Sequence, residues 1–286
     1  MTLTLAAPVK VNLALHVGPP RADGYHPVDT LCVFPAMGDL VTYEREGAPG
    51  IDFTGPYGPH LAEEGQATNL IWLAFLALGV EPEGRFLLTK MMPVASGVGS
   101  GTADGVAAML ILNMELGLGL DADALIARAI ALGADGPICM ASQIYGGGLI
   151  RARGIGERVQ RLGRVEPMGI VLANPRVHVS TAAVFRAFDD TAPEALGGVE
   201  TAHGRNLPAL VAANRNDLLL PAEEIAPEIA TTLAALSEQP GARAVQMSGS
   251  GATCFALHAS ESSAAQAARA LRGQGFWAES SFILAG

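Results

Sequence analysis

Residues 93–105, PVASGVGSGTADG, decide how this chain is read. Four glycines and five other small residues lie between a proline and a run with helical character. Small residues let backbone N–H groups approach a ligand with no side chains in the way. A helix that starts within such a loop turns its free N–H groups and the positive end of its dipole toward it, which makes an anion site. Two common phosphate-loop patterns are excluded. A Walker A loop needs Gly-Lys-Ser/Thr, and the chain contains no Gly-Lys pair. A dinucleotide fingerprint needs glycine at its first, third and sixth places; counted from Gly97 the sixth is Thr102, and from Gly99 it is Asp104. If phosphate binds here, the positive charge comes from elsewhere in the chain. Read alone, the loop is equally a strand-to-helix turn that lets a helix pack tightly.

Outward from the loop, RFLLTKMMP (85–93) predicts a strand, and TADGVAAMLILNMELG (102–117) a long apolar helix. Upstream, LIWLAFLAL (70–78) predicts a buried helix. At the N-terminus, TLTLAAPVKVNLALHVG (2–18) alternates as one strand, with Leu3, Leu5, Ala7, Val9, Val11, Leu13, Leu15 and Val17 on one face and Lys10, Asn12 and His16 on the other. Downstream, Asp121 caps a helix that Gly133 ends. Strands follow near 147–153 and at 168–174, and Ser180 caps the helix TAAVFRAF (181–188). The remainder predicts a helix at 223–238, a strand at 243–248, a glycine loop, a strand at 252–258, a helix at 261–272 and a strand at 276–284. The expected class is α+β, with helices on one face of largely antiparallel sheets. A soft boundary near 155 divides the chain into 1–155 and 156–286.

Composition narrows the functions. The chain has 286 residues, half of them apolar and 16 % charged, enough to bury a sizeable core. A formal net charge of −10 argues against a nucleic-acid partner but allows an anionic substrate at a locally positive site. Cys32, Cys139 and Cys254 have no metal-ligand spacing and predict free thiols in a reducing compartment. The N-terminus shows no basic leader, and the 70–80 apolar run is shorter than the roughly 20 residues that span a bilayer. The expectation is a cytoplasmic protein without a membrane partner, its oligomeric state open.

Three more stretches carry chemistry, each with an ordinary alternative. Lys10 lies on the polar face of an apolar strand, where a snorkelling surface lysine is common. LGADGP (132–137) sets an acid after a helix stop, where aspartate often only forms a turn. MSGSGAT (247–253) joins two strands, as any tight hairpin does.

Taken in order, APVKVNLALHV, RADGYHPVDTLCVFPAMGDL, NLI, MPVASGVGSGTADGV, LGADGP, RGIGE, VSTAAVF, NDL and MSGSGATCFAL resemble the successive signatures of the GHMP kinase superfamily over nearly the whole chain. The resemblance implies a two-domain α+β fold with ATP and substrate in the cleft between domains. It implies transfer of the γ-phosphoryl group of ATP, with Mg²⁺, to an alcohol. Lys10 and Asp135 are then the catalytic pair, Asp135 as the base. Pro93, Val94, Ala95, Ser96, Gly97, Val98, Gly99, Ser100, Gly101, Thr102, Ala103 and Asp104 hold the phosphates, and Asn69 and Lys90 lie nearer the adenosine. The RADGYH and VSTAAVF signatures imply a substrate bearing a cytidine diphosphate group. Asn12, Tyr25, His26, Thr181 and Phe185 are its expected contacts, with the base between Tyr25 and Phe185 and His26 at its edge. Thr181 and Phe185 are four apart and share a helix face. The Mg²⁺ ligands are not implied; Thr102 is the residue to try first. Three departures stand out. Ser100 replaces a glycine and brings a side chain to the phosphate loop, Thr102 and Ala103 replace a serine pair, and Gly105 replaces an alanine at about 1 kcal/mol of helix propensity. The competing readings are a kinase of another small alcohol, such as homoserine or mevalonate, a nucleotide-binding module that has lost its chemistry, and a plain α+β protein whose glycines are turns.

Overall fold

The computed structural model describes residues 2–59, 61, 69–93 and 97–286. Val94, Ala95 and Ser96 of the expected phosphate loop lie outside the described residues. Three four-stranded sheets organise the rest. The first has the order β1 (Thr2–Pro8), β4 (Gly38–Glu44), β6 (Arg85–Thr89), β5 (Gly50–Thr54), with β5 and β6 parallel. The second runs β2 (Val11–Val17), β3 (Val28–Val33), β7 (Leu149–Gly154), β8 (Arg158–Gly163). The third runs β10 (Ala242–Met247), β11 (Cys254–His258), β9 (Gly169–Asn174), β12 (Trp277–Phe282). The second and third are antiparallel throughout. A division at 155 falls in the turn between β7 and β8.

The helices include most of those expected, two that were not, at 136–145 and 207–213, and one expected helix that is divided. Asn69 caps α1 (Leu70–Leu78), accepting from the Ile71 N–H at 2.9 Å. Helix α2 (Ser100–Glu115) buries Val106, Ala107, Met109, Ile111 and Leu112 against Phe75, Phe86 and Tyr43, in the core under the first sheet. Gly105 has its reason there. A Cβ on it would stand 2.9 Å from the Leu70 carbonyl oxygen, so the propensity lost to glycine is offset by close helix packing. Next come α3 (Ala122–Arg128), capped by Asp121, and α4 (Gly136–Tyr145). Helix α4 is apolar on most faces, which leaves no periodicity to read. Ser180 caps α5 (Thr181–Asp190), α6 is Leu207–Ala213, and α9 (Glu261–Gly273) packs on the third sheet. The single helix expected at 223–238 is two, α7 (Leu219–Ile225) and α8 (Glu228–Ser237). Pro227 between them lacks the N–H and the room to continue a helix.

The first strand is a further correction. The alternating run from Leu3 to Val17 is not one strand. It breaks at Val9–Lys10 and passes from the first sheet to the second. Pro8 has no N–H to extend the ladder, and the free amides go elsewhere: Val9 N–H donates to Met37 O and Lys10 N–H to Val98 O, at 3.0 and 3.1 Å. All of β2 is buried, so the expected polar face of Lys10, Asn12 and His16 is enclosed in protein. The three cysteines are buried free thiols, as expected. Among the described residues no helix is long and apolar enough to cross a membrane.

Candidate active site

The strand break fixes Lys10 by its own backbone and aims its side chain inward. Lys10 is 4 % exposed; its ammonium lies 3.0 Å from each carboxylate oxygen of Asp135 and donates to Asn12 Oδ1 at 2.8 Å. Asp135 stands at the N-terminal end of α4, its side chain 40 % exposed. One partner of the pair is therefore enclosed and the other open to the cleft. Burial alone would lower the Lys10 pKa; the Asp135 carboxylate outweighs it and holds the group above its ordinary 10.5. A raised lysine pKa contributes stability that is present below the ordinary value and lost as pH rises through the folded one. The Lys10 charge is thus retained across neutral pH. Cys32 and Cys139 lie close to it; burial raises both thiols, Cys32 to about 11, so neither offers a competing thiolate.

Asn12 was expected to touch substrate. It lines the cleft, but its amide is committed to the protein. Oδ1 accepts from Lys10, and Nδ2 donates to Thr30 Oγ1 at 2.8 Å and to Cys32 Sγ at 3.3 Å. Its backbone N–H donates to Ser248 Oγ at 3.1 Å, which ties the strand that follows Lys10 to the second glycine loop.

The two glycine loops interlock. Gly97 has φ 79°, and a Cβ there would run into the Gly251 carbonyl oxygen. Gly99 has φ 65° and begins α2; a Cβ on it would stand 3.4 Å from Asp135 Oδ2 and 3.7 Å from Lys10 Cε. These two positions require glycine. Gly101 does not: a Cβ there meets nothing nearer than Leu70 Cδ1 at 3.8 Å. Asn216, from the NDL signature, holds the second loop by donating to Met247 O and Gly249 O at 2.9 and 2.8 Å.

Ser100 does not intrude on the phosphate loop. Its hydroxyl turns inward, 3.1 Å from Lys90 Nζ. Lys90 and Asp104, both expected toward the nucleotide, are instead buried with Asp39, at 2.7 Å from Asp104 Oδ2 and 2.6 Å from Asp39 Oδ2. Asp39 also takes the N–H groups of Met91 and Met92. Burial raises the Asp104 carboxyl well above the usual range, with nearby Asp39 adding to it and Lys90 opposing. The cluster pins the strand before the loop to the first turn of α2. Lys90 supports the loop's shape and has no free charge to offer. Asn69 caps α1, Pro93 is half-buried, and Val98 and Ala103 are core residues.

One cleft of about 670 Å³ joins what remains. Its lining includes Lys10, Asp135, Gly97, Gly99 and Thr102 together with Tyr25, His26 and Phe185. Tyr25 is 58 % exposed, and His26 packs on Phe185 with ring centroids 4.8 Å apart. Thr181 bonds Ser250 at 2.9 Å, joining α5 to the second glycine loop. Two charged lining residues were missed, Arg186 and Asp189. For Asp189 the signal was available, because it continues the α5 face that Thr181 and Phe185 define; Arg186, one residue past Phe185, stands off that face.

Residues 68–147 match the family profile "GHMP kinases N terminal domain", and residues 200–275 match "GHMP kinases C terminal". A protein of Cereibacter sphaeroides named 4-diphosphocytidyl-2-C-methyl-D-erythritol kinase is 42 % identical over 280 residues, 96 % of each chain. The chain belongs to the GHMP kinases, in the family of the 4-diphosphocytidyl-2-C-methyl-D-erythritol kinases. A second member, from Granulibacter bethesdensis, is 40 % identical over 276 residues, 94 % of this chain and 89 % of the other. A crystal structure of 4-(cytidine 5'-diphospho)-2C-methyl-D-erythritol kinase superposes with a TM-score of 0.78 at 31 % identity, over 99 % of this chain and 100 % of that one. This GHMP kinase is an ATP-dependent phosphotransferase with the family's α+β fold.

Proposed function

We propose that the protein transfers the γ-phosphoryl group of ATP to the 2-hydroxyl of 4-diphosphocytidyl-2-C-methyl-D-erythritol, a step in the making of isoprenoid precursors. The observation that carries the reading is the Lys10–Asp135 pair at 3.0 Å in a cleft whose lining also includes Tyr25, His26 and Phe185. Asp135 takes the proton of the attacking hydroxyl. Lys10 pairs with that carboxylate and places positive charge beside the reacting oxygen. The free N–H groups of Ser100, Gly101 and Thr102, at the start of α2, face the phosphates. Among the described residues no cluster of carboxylate, imidazole and thiol groups could hold a metal ion by itself. Thr102 Oγ1, at the start of α2, would be the group offered to Mg²⁺, which would supply neutralisation of phosphate charge.

The substrate's diphosphate needs a cation, and Lys10 is taken. Arg186 lines the cleft next to Phe185, is exposed, and makes no ion pair among the described residues. We assign it the diphosphate. Arg186→Ala raises the KM for the cytidine-bearing substrate by about tenfold and leaves the ATP KM within about twofold, as expected for one charge-assisted contact. Steady-state kinetics with each substrate varied in turn checks this, and an equal rise in both constants removes Arg186 from that role.

The test of the reading is competition. Cytidine monophosphate should compete with the alcohol substrate, and uridine monophosphate far less. Base stacking is worth about 1–3 kcal/mol, so Phe185→Ala weakens cytidine monophosphate by about tenfold or more while ATP binding stays near normal. Equal competition by both nucleotides, or turnover of a small alcohol with no cytidine, moves the assignment to another alcohol kinase.

A further inference from the structure

His26 is held by more than its stack on Phe185. Its Nε2 lies 2.7 Å from Asp189 Oδ1, and Phe188 meets its ring edge-on at 6.2 Å between centroids. Asp189 follows Phe185 by four residues on α5, so one helix face supplies both the apolar wall and the carboxylate. An ionised carboxylate can only accept, so Nε2 carries the hydrogen. In the neutral imidazole Nδ1 then keeps its lone pair. Nδ1 has no hydrogen-bond partner among the described residues and is not among their buried unpaired atoms, so it is open to the cleft that His26 lines.

We infer that Asp189 is a positioning residue that turns His26 into a fixed acceptor at the edge of the base, and so selects a pyrimidine that presents an amino group. The inference rests on the cytidine reading above. The exocyclic amine of cytosine donates to Nδ1. The corresponding carbonyl of uracil brings a second acceptor against it and leaves both unpaired. Stacking on Phe185 holds either base and cannot tell them apart. Without Asp189 the imidazole is free to take the other tautomer, whose Nδ1–H suits uracil. Asp189 therefore governs which base is accepted and leaves the transfer step alone.

The experiment measures competition by cytidine and uridine monophosphates in the wild type, Asp189→Ala and Asp189→Asn. The wild type should favour the cytidine nucleotide by about tenfold or more, the value of one well-made hydrogen bond against an unpaired one. Asp189→Ala should bring the ratio to within about threefold of unity and raise the KM of the cytidine substrate, with kcat and the ATP KM within about twofold. Asp189→Asn keeps an oxygen acceptor and should retain most of the ratio. Nitrogen-15 NMR of the His26 ring should show the Nε2–H tautomer in the wild type and a mixture in Asp189→Ala. The Asp189 side chain is one-third exposed, in the last turn of α5, so its loss leaves the fold in place. Asp189→Ser reads the same ratio should alanine disturb the helix end. A wild-type ratio in Asp189→Ala overturns the inference, whichever tautomer the spectrum shows. A wild type that does not separate the two nucleotides fails the cytidine reading itself and takes this inference with it, so the two failures are distinguishable.

Discussion

Asp135→Asn lowers turnover by about two orders of magnitude or more, because the hydroxyl loses its proton acceptor. The substitution keeps size and one oxygen. It removes the counter-charge of an ammonium that is otherwise enclosed by protein, its one other hydrogen bond going to Asn12. Two effects therefore separate. The KM values for ATP and the alcohol change little, since neither is bound mainly through Asp135, while kcat falls. The Lys10 pKa falls as well, because the carboxylate that offset burial is gone. The wild type keeps its Lys10 charge above pH 10.5, and the variant loses it at lower pH. Single-turnover measurements at neutral pH, on protein shown by its thermal midpoint to be folded, check the first effect. Turnover equal to the wild type would take Asp135 out of the mechanism.

Gly97→Val abolishes measurable ATP turnover, and Gly101→Ala in the same loop does not. The contrast follows from what surrounds each Cα. At Gly97 a side chain meets the Gly251 backbone, and the left-handed φ of 79° adds strain for any L residue. Neither loop can yield alone, because Asn216 holds the second one by two carbonyls. Displacing the loops by about 1 Å is enough to cost on the order of a hundredfold in rate. At Gly101 the nearest atom to a new Cβ is 3.8 Å away. Kinetics of the two variants side by side, with thermal midpoints, test the contrast. Equal activity in both would mean that the loop is only a turn.

The loop, the acid of LGADGP and the lysine of the first strand were legible because each breaks an otherwise regular pattern. A run of glycines, a lone carboxylate at a helix start and a cation among apolar residues need a local reason wherever the chain folds. Less was legible where the reason lies far along the sequence. Lys90 reads as a free cation until Asp39 and Asp104 are seen around it, 51 and 14 residues away. Ser100 reads as an obstruction because sequence gives its presence and not its direction; the hydroxyl turns to Lys90. The first-strand alternation was real, but it carries no information about a change of sheet, and Pro8 was the sign that it stops. Pro227 was a sharper sign, and the helix at 223–238 was extended through it against its chemistry. Asp189 escaped notice because an acid on a helix surface is ordinary until a histidine 163 residues earlier is found against it.

The interlock of the glycine loops also sets an order in time. Lys10, Asn12, Gly97, Gly99 and Asp135 are all synthesised well before Ser248 and Gly251, which fasten onto them. A ribosome that has made Lys10 and Asp135 still has more than a hundred residues to add before the loops can close. Domains tend to fold as they emerge, N-terminal part first. Lys10 and Asp135 are thus made while the second glycine loop, against which Gly97 packs, has yet to be translated. The cleft is therefore complete only once residues 248–251 have been made and have closed on the first loop.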